Sequence, residues 1–178
     1  MVKAELNEEK VIIWDMKEAQ EIFESGWYGE LFEDRLELAL IEAALWAERD
    51  KIEILKNKKK MSFKEFYKYC LSIDKRFHVR YIVYKDLRER GLPVRTGFKF
   101  GCDFRVYERG VKPIQKGPKA PHEHTKWIVF CVAEDYACSF QELSRAVRLA
   151  HNIRANMLWS VVDNENDVTY YSITYLSP

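Results

Sequence analysis

Two rhythms of apolar and polar residues alternate along this chain. "KVIIW" (Lys10 to Trp14) is a short apolar run bounded by charge and predicts a strand. "MKEAQEIFESG" repeats its apolar positions every three or four residues, predicting a helix stopped by Gly26. In "WYGELFEDRLELALIEAALWAERDKI", Leu36, Leu40, Ala43, Ala44 and Ala47 recur at helical spacing. Residues 51 to 60 predict a strand and a charged turn, with Lys58, Lys59 and Lys60 read as solvated. "SFKE" (Ser62 to Glu65) places a hydroxyl at a helix start and a carboxylate three residues on. This capping box opens a helix reaching about Lys75, where a domain boundary falls.

The second half repeats the alternation. "HVRYIVYKDLRERG" predicts a helix closed by Gly91. Val94, Phe98, Phe100, Phe104 and Val106, interrupted by Gly97 and Gly101, predict two strands joined by a tight turn. A loop with three prolines follows, then a buried strand in "TKWIVFCVAED". "SFQE" (Ser139 to Glu142) is a second capping box, opening a helix that carries Arg145 and Arg148, with Arg154 at its end. "MLWSVV" and "VTYYSITYLS" predict the last two strands, around the turn "DNEND". The sum is an α/β protein of two small mixed α/β domains, residues 1–75 and 76–178, the second built on a central mixed sheet.

Composition narrows the function. The 178 residues are 47% hydrophobic, enough for a real core. Lysine and arginine (29) nearly balance aspartate and glutamate (28), so any nucleic-acid surface must be local. No apolar run reaches membrane length and no signal peptide is visible, so a cytoplasmic protein is expected. Cys70, Cys102, Cys131 and Cys138 have no CxxC spacing, which argues against zinc; Cys102 and Cys131 read as core thiols.

Four kinds of chemistry compete. His122 and His124 form an H-x-H pair that offers two metal ligands but no third. Asp103 and Asp163 could serve a metal nuclease, but the usual Glu-x-Lys on the next strand is missing. The late helix could be only amphipathic, with Val147, Ala150, His151 and Arg154 divided between core and solvent. Finally, Tyr107, His124 and the helix end could cleave RNA without metal. RNA carries its own nucleophile, the 2′-OH. The enzyme must take that proton, protonate the leaving 5′-oxygen and stabilise the charge on phosphorus. A histidine titrates in the right range for the acid. A tyrosine base needs nearby cations, and Arg105 and Arg109 flank Tyr107.

"YIVYKDLRERG" (Tyr81 to Gly91), "GFKFGCDFRVYERG" (Gly97 to Gly110) and "AVRLAHNIRA" (Ala146 to Ala155) resemble, in order, motifs of the archaeal tRNA-splicing endonucleases. The resemblance covers essentially the whole chain. It implies an N-terminal α/β domain and a restriction-endonuclease-like C-terminal nuclease domain. It implies cleavage of precursor tRNA at bulge-helix-bulge motifs, without metal or cofactor, leaving 2′,3′-cyclic phosphate and 5′-OH ends. Tyr107 falls on the family's general base and His124 on its general acid, with His122 as the second choice for the acid. Ala155 stands where the family has its catalytic lysine. That implies an inactivating lysine-to-alanine replacement, a natural non-catalytic subunit, or another cation in its place, with Lys126 the best substitute. The first is favoured because Tyr107 and His124 are both kept.

The resemblance also places Arg148 against a bulge base, with Tyr170 near its expected partner. Lys112, Lys116 and Lys119 of the proline loop fall within reach of phosphates. Glu134 and Asp135 match an acidic loop that inserts into a partner, and the strand from Val168 to Leu176 would pair with its own copy. A homotetramer and a heterotetramer with a related subunit both satisfy this.

Overall fold

The structure, a computed structural model, describes residues 1–97, 101–113 and 123–176. Phe98, Phe100, Lys116, Lys119 and His122 lie outside the described residues. The chain divides into two units, Met1–His78 and Val79–Pro178.

The first unit is a six-stranded sheet with helices. Its strands are β1 (Val2–Asn7), β2 (Lys10–Ile13), β3 (Glu30–Leu31), β4 (Leu36–Ala39), β5 (Ile52–Lys56) and β6 (Lys59–Lys60), in the order β3-β4-β2-β1-β5-β6. The helices are α1 (Met16–Gly26), α2 (Leu40–Glu48) and α3 (Phe63–Ile73). Two expectations change here. Leu36 is a strand residue: Leu36 and Leu38 alternate inward, and β4 pairs with β2, so the helix begins only at Leu40. And α1 ends through Trp27, not through a glycine in the left-handed region. Trp27 takes φ 60°, its N–H donates to Phe23 O (2.6 Å), and its ring meets Phe23 edge-on at 5.3 Å.

The α2 N-terminus is held by a buried carboxylate. Glu42 Oε2 accepts from Ala39 N (2.8 Å) and Oε1 from Gly29 N (3.0 Å). Gly29 sits at φ 70°, and a Cβ there would lie 2.6 Å from Glu37 O, so only glycine fits. Glu42→Ala strands both N–H groups, and a loss of about 2–3 kcal/mol in chemical denaturation is expected. At α3 the "SFKE" box forms in full: Ser62 Oγ accepts from Glu65 N, and Glu65 Oε2 accepts from Ser62 N.

The second unit is a five-stranded mixed sheet, covered on both faces. β7 (Val94–Thr96), β8 (Phe104–Val106), β9 (Trp127–Ala133), β10 (Asn156–Val162) and β11 (Val168–Ile173) lie in the order β11-β10-β9-β8-β7. Only β9 and β10 run parallel, joined through α5 (Phe140–Asn152). The helix α4 (Phe77–Glu89) reaches one face, where Tyr84 meets Phe104 at 5.5 Å. Gly91, at φ 75°, closes it: Gly91 N donates to Arg88 O and Leu92 N to Leu87 O. α5 packs on the other face, where Ala146 and Ala150 join Ile128 and Met157. Its capping box is only half made. Ser139 Oγ accepts from Glu142 N, but the Glu142 carboxylate instead takes the Tyr136 hydroxyl.

All four cysteines are free thiols, three of them buried. Burial pushes the Cys70 thiol up to about 12 and the Cys102 thiol to about 11. Alkylation of the native protein at pH 8 is therefore expected at exposed Cys138 first, read by peptide mass spectrometry.

Candidate active site

Three strands of the second unit bring the sequence-predicted residues to one end of the sheet. Val106, Trp127 and Asn156 form one row across β8, β9 and β10. One residue further out, the row is tied by backbone hydrogen bonds. Lys126 N donates to Val106 O (2.9 Å), and Asn156 N donates to Lys126 O (2.9 Å). The Asn156 side-chain amide donates to the same carbonyl at 3.3 Å. By this register Tyr107, Lys126 and Ala155 follow side by side, spanning about 10 Å at the usual strand spacing. His124 lies two residues before Lys126.

These residues differ in exposure. Tyr107 is 2% exposed, and its N–H donates to Pro93 O. His124 and Lys126 are exposed. Lys126 Nζ is paired with Glu108 Oε1 at 3.0 Å, so the best substitute cation already shares its charge with the residue after Tyr107. Arg105 Nε donates to Thr96 O, and Arg109 Nε to Arg90 O.

Ala155 owes its position to the way α5 ends. Arg154 takes the left-handed conformation (φ 57°), its N–H donating to His151 O. Ala155 N then donates back to Ala150 O (2.9 Å). This is a Schellman stop built on an arginine instead of a glycine. The residue that follows the left-handed one in such a stop commonly packs on the helix. Ala155 does so, joining Leu149 and Ile153 against the α5 core.

Other expected partners are not brought together. Arg148 is exposed on α5, its guanidinium donating to Ser144 Oγ (3.0 and 3.3 Å). Tyr170 belongs to the opposite face of the sheet: its hydroxyl donates to Asp86 Oδ2 at 2.6 Å, and the Arg90 guanidinium lies 5.6 Å from its ring. Burial and the Asp86 carboxylate both raise the Tyr170 phenol. On the α5 side, alternation along β11 puts Tyr171 and Ile173, and beyond the strand Tyr175 lies 5.9 Å from His151. Glu134 and Asp135 form the exposed turn after β9, with Glu134 Oε1 accepting from Asn164 N. Lys112 is exposed.

The candidate metal carboxylates are engaged elsewhere. Asp103 is buried, with Oδ1 3.1 Å from Arg80 Nε and Oδ2 accepting from Cys131 N at 2.8 Å. Asp163 Oδ1 accepts from Glu165 N and Asp167 N in the β10–β11 turn. Among the described residues, no three His, Cys, Asp or Glu side chains group to hold a metal. The Arg80–Asp103 pair was not anticipated; the charged "DF" inside an otherwise apolar run was its signal.

Comparison with known proteins identifies this architecture. Residues 2–67 match the model of the tRNA intron endonuclease N-terminal domain, and residues 77–170 that of its catalytic C-terminal domain. The chain belongs to the tRNA intron endonuclease family. Relatives carry the name tRNA-splicing endonuclease: one from Thermococcus kodakarensis is 37% identical over 171 residues, 96% of each chain. One from Methanococcus vannielii is also 37% identical, over 98% of this chain and 94% of its own. One from Nanoarchaeum equitans is 38% identical over 82% of this chain and 92% of its own. No helix among the described residues is long and apolar enough to cross a membrane.

Proposed function

We propose that the chain is a subunit of a tRNA-splicing endonuclease that cuts precursor tRNA at bulge-helix-bulge junctions by 2′-OH attack. The observation that carries this is the hydrogen-bonded row that sets Tyr107, Lys126 and Ala155 side by side, with His124 two residues before Lys126 along the chain. In this reading Tyr107 takes the 2′-OH proton and His124 gives one to the 5′-oxygen. The bonds made and broken are all in the RNA, so the products are a 2′,3′-cyclic phosphate and a 5′-OH, and no metal or cofactor enters. The burial of Tyr107 sets a condition: RNA binding has to uncover its hydroxyl.

The position that should answer the charge on phosphorus holds a methyl group. In this reading the chain as it stands lacks that cation, and Lys126, the nearest substitute, shares its charge with Glu108. Arg148, exposed on α5, is the cation placed for a bulge base.

Assembly supplies the second cleavage site. The strand β11 is an open edge, and Tyr171 (55% exposed), Tyr175 and Leu176 leave apolar surface there. Pairing of that strand with its copy, and insertion of the Glu134–Asp135 turn into a partner, would give a homotetramer or a heterotetramer with a related subunit. The second reading, a non-catalytic RNA-binding subunit, rests on the same alanine. Incubation of a bulge-helix-bulge RNA with chelator, followed by end-group analysis, separates them. The Ala155→Lys chain should yield cyclic phosphate ends. No cleavage by that variant, alone or with a related subunit, would leave the non-catalytic reading.

A further inference from the structure

The lysine hairpin of the first unit plays no part in the site described above, and its geometry is unfavourable in two ways. Asn57 (φ 51°) and Lys58 (φ 65°) both occupy the left-handed region in the β5–β6 turn. A two-residue turn of this type suits Asn followed by Gly; here the second place holds a lysine. In the strands beside it, Lys56 lies directly opposite Lys59. Like charges at such a cross-strand pair repel. Residues 56 to 60 are all exposed, and Lys60 lies 3.5 Å from the Glu53 carboxylate. The Lys56 ammonium is instead held over the Tyr69 ring at 4.4 Å.

The surrounding charge is concentrated as well. Residues 51 to 75 hold eight lysines against three acidic side chains, whereas residues 1 to 50 hold fourteen acidic side chains against five basic. The near-neutral total thus hides a local cationic surface on β5, β6 and α3. A solvated edge strand needs lysine to discourage pairing with other chains, but one or two suffice for that, and none need stand in a strained turn. The cross-strand repulsion retained at this exposed tip points to an anionic ligand that relieves it. Polyphosphate does so: an anion placed between Lys56 and Lys59 turns the repelling pair into two attractions.

We infer that the hairpin of Lys56, Lys58, Lys59 and Lys60 binds the sugar–phosphate backbone of the RNA substrate, as a contact separate from the cleavage row. This rests on the proposed function, since the RNA is its substrate. Such contacts read no sequence and depend steeply on salt, each phosphate neutralised adding roughly 0.7–0.9 to the slope of log affinity against log salt.

The test measures binding of an intron-containing precursor tRNA to the full chain by filter retention across a salt series. K58Q/K59Q/K60Q should lower that slope by about 2 and weaken binding at low salt on the order of tenfold. K59E keeps the edge charged and removes the repulsion with Lys56, so it should melt no lower than the parent chain yet bind RNA more weakly. Unchanged affinity and slope in both variants, in folded protein, would overturn the inference. So would a changed oligomeric mass with RNA binding intact, which would assign the hairpin to an acidic protein surface. If the parent chain itself fails to bind precursor tRNA, the proposed function falls; if it binds and the variants match it, only the hairpin assignment falls.

Discussion

Replacing Ala155 by lysine is expected to raise the rate of RNA cleavage by about two to three orders of magnitude, the range seen when a single oxyanion-stabilising group is removed or restored. The structure makes room for it. Ala155 is half-buried and, like Leu149 and Ile153, packs against the buried cluster of Ile128, Ala146, Ala150 and Met157. A lysine stem can follow that apolar surface and carry its ammonium outward toward the row's end. A cation there also meets the α5 C-terminus, whose peptide dipoles leave partial negative charge that disfavours a phosphate. The new ammonium would stand beside Lys126 in the register. That repulsion is limited because Glu108 already pairs with Lys126. The gain should appear in kcat at saturating RNA, with KM little changed, since the charge being answered develops mainly in the transition state. Single-turnover assays in chelator measure it. Adding His124→Ala to Ala155→Lys should remove most of the gain. A double variant as fast as the single one would show that His124 is not the acid.

Asp103→Ala is the substitution expected to harm the fold most. Asp103 and Arg80 are both buried, at 4% and 6% exposure, and the same carboxylate holds the Cys131 amide in the middle of β9. Removing it takes the carboxylate from a buried guanidinium and the acceptor from the Cys131 amide. The combined loss is about 3–5 kcal/mol, a large part of the stability of an ordinary domain. Asp103→Asn keeps an acceptor for the amide and should lose less. Arg80→Met added to Asp103→Ala should recover part of the loss, because the stranded charge goes with it. Hydrogen exchange at the Cys131 amide reads this unit directly. Protection as strong in Asp103→Ala as in the parent would mean that the pair does not hold β8 to β9.

Much of this arrangement was legible because local signals agreed. Ser62 with Glu65, Ser139 with its helix, and Gly91 after "DLRER" each marked a helix end by its own chemistry. The apolar run around Ile128 and Val129 could only be a buried strand. The errors fell where tertiary contacts outweigh local pattern. Leu36 matches a helical spacing, but Glu37 finds Lys10 across on β2, with Arg35 beside it just before the strand, and the segment extends as β4. Trp27 takes a conformation suited to glycine because its ring has Phe23 to rest on.

At the candidate site, Tyr107, His124 and position 155 could be marked by motif, but the alignment of Tyr107 with Lys126 and Ala155 could not. It depends on the register of three strands, β8 antiparallel to β9 and β9 parallel to β10, which no local pattern encodes. For the same reason the sequence does not show Glu108 as the partner of Lys126, nor that Tyr170 and Arg148 lie on different faces of the sheet. Period-two alternation separates them: Tyr170 pairs with Ser160 and turns to Asp86 on α4, whereas Arg148 rides on α5.

The parallel pairing of β9 with β10 has a consequence in time as well as in space. Between Lys126 and Ala155 the chain must complete β9, traverse all of α5 and return before the row can close. Such closure is slow compared with the hairpins that form from neighbouring residues. A chain emerging from the ribosome exposes Tyr107 and His124 well before the segment that completes their row, so during synthesis the row stays open. The row of Tyr107, Lys126 and Ala155 is therefore complete only with the finished, docked crossover.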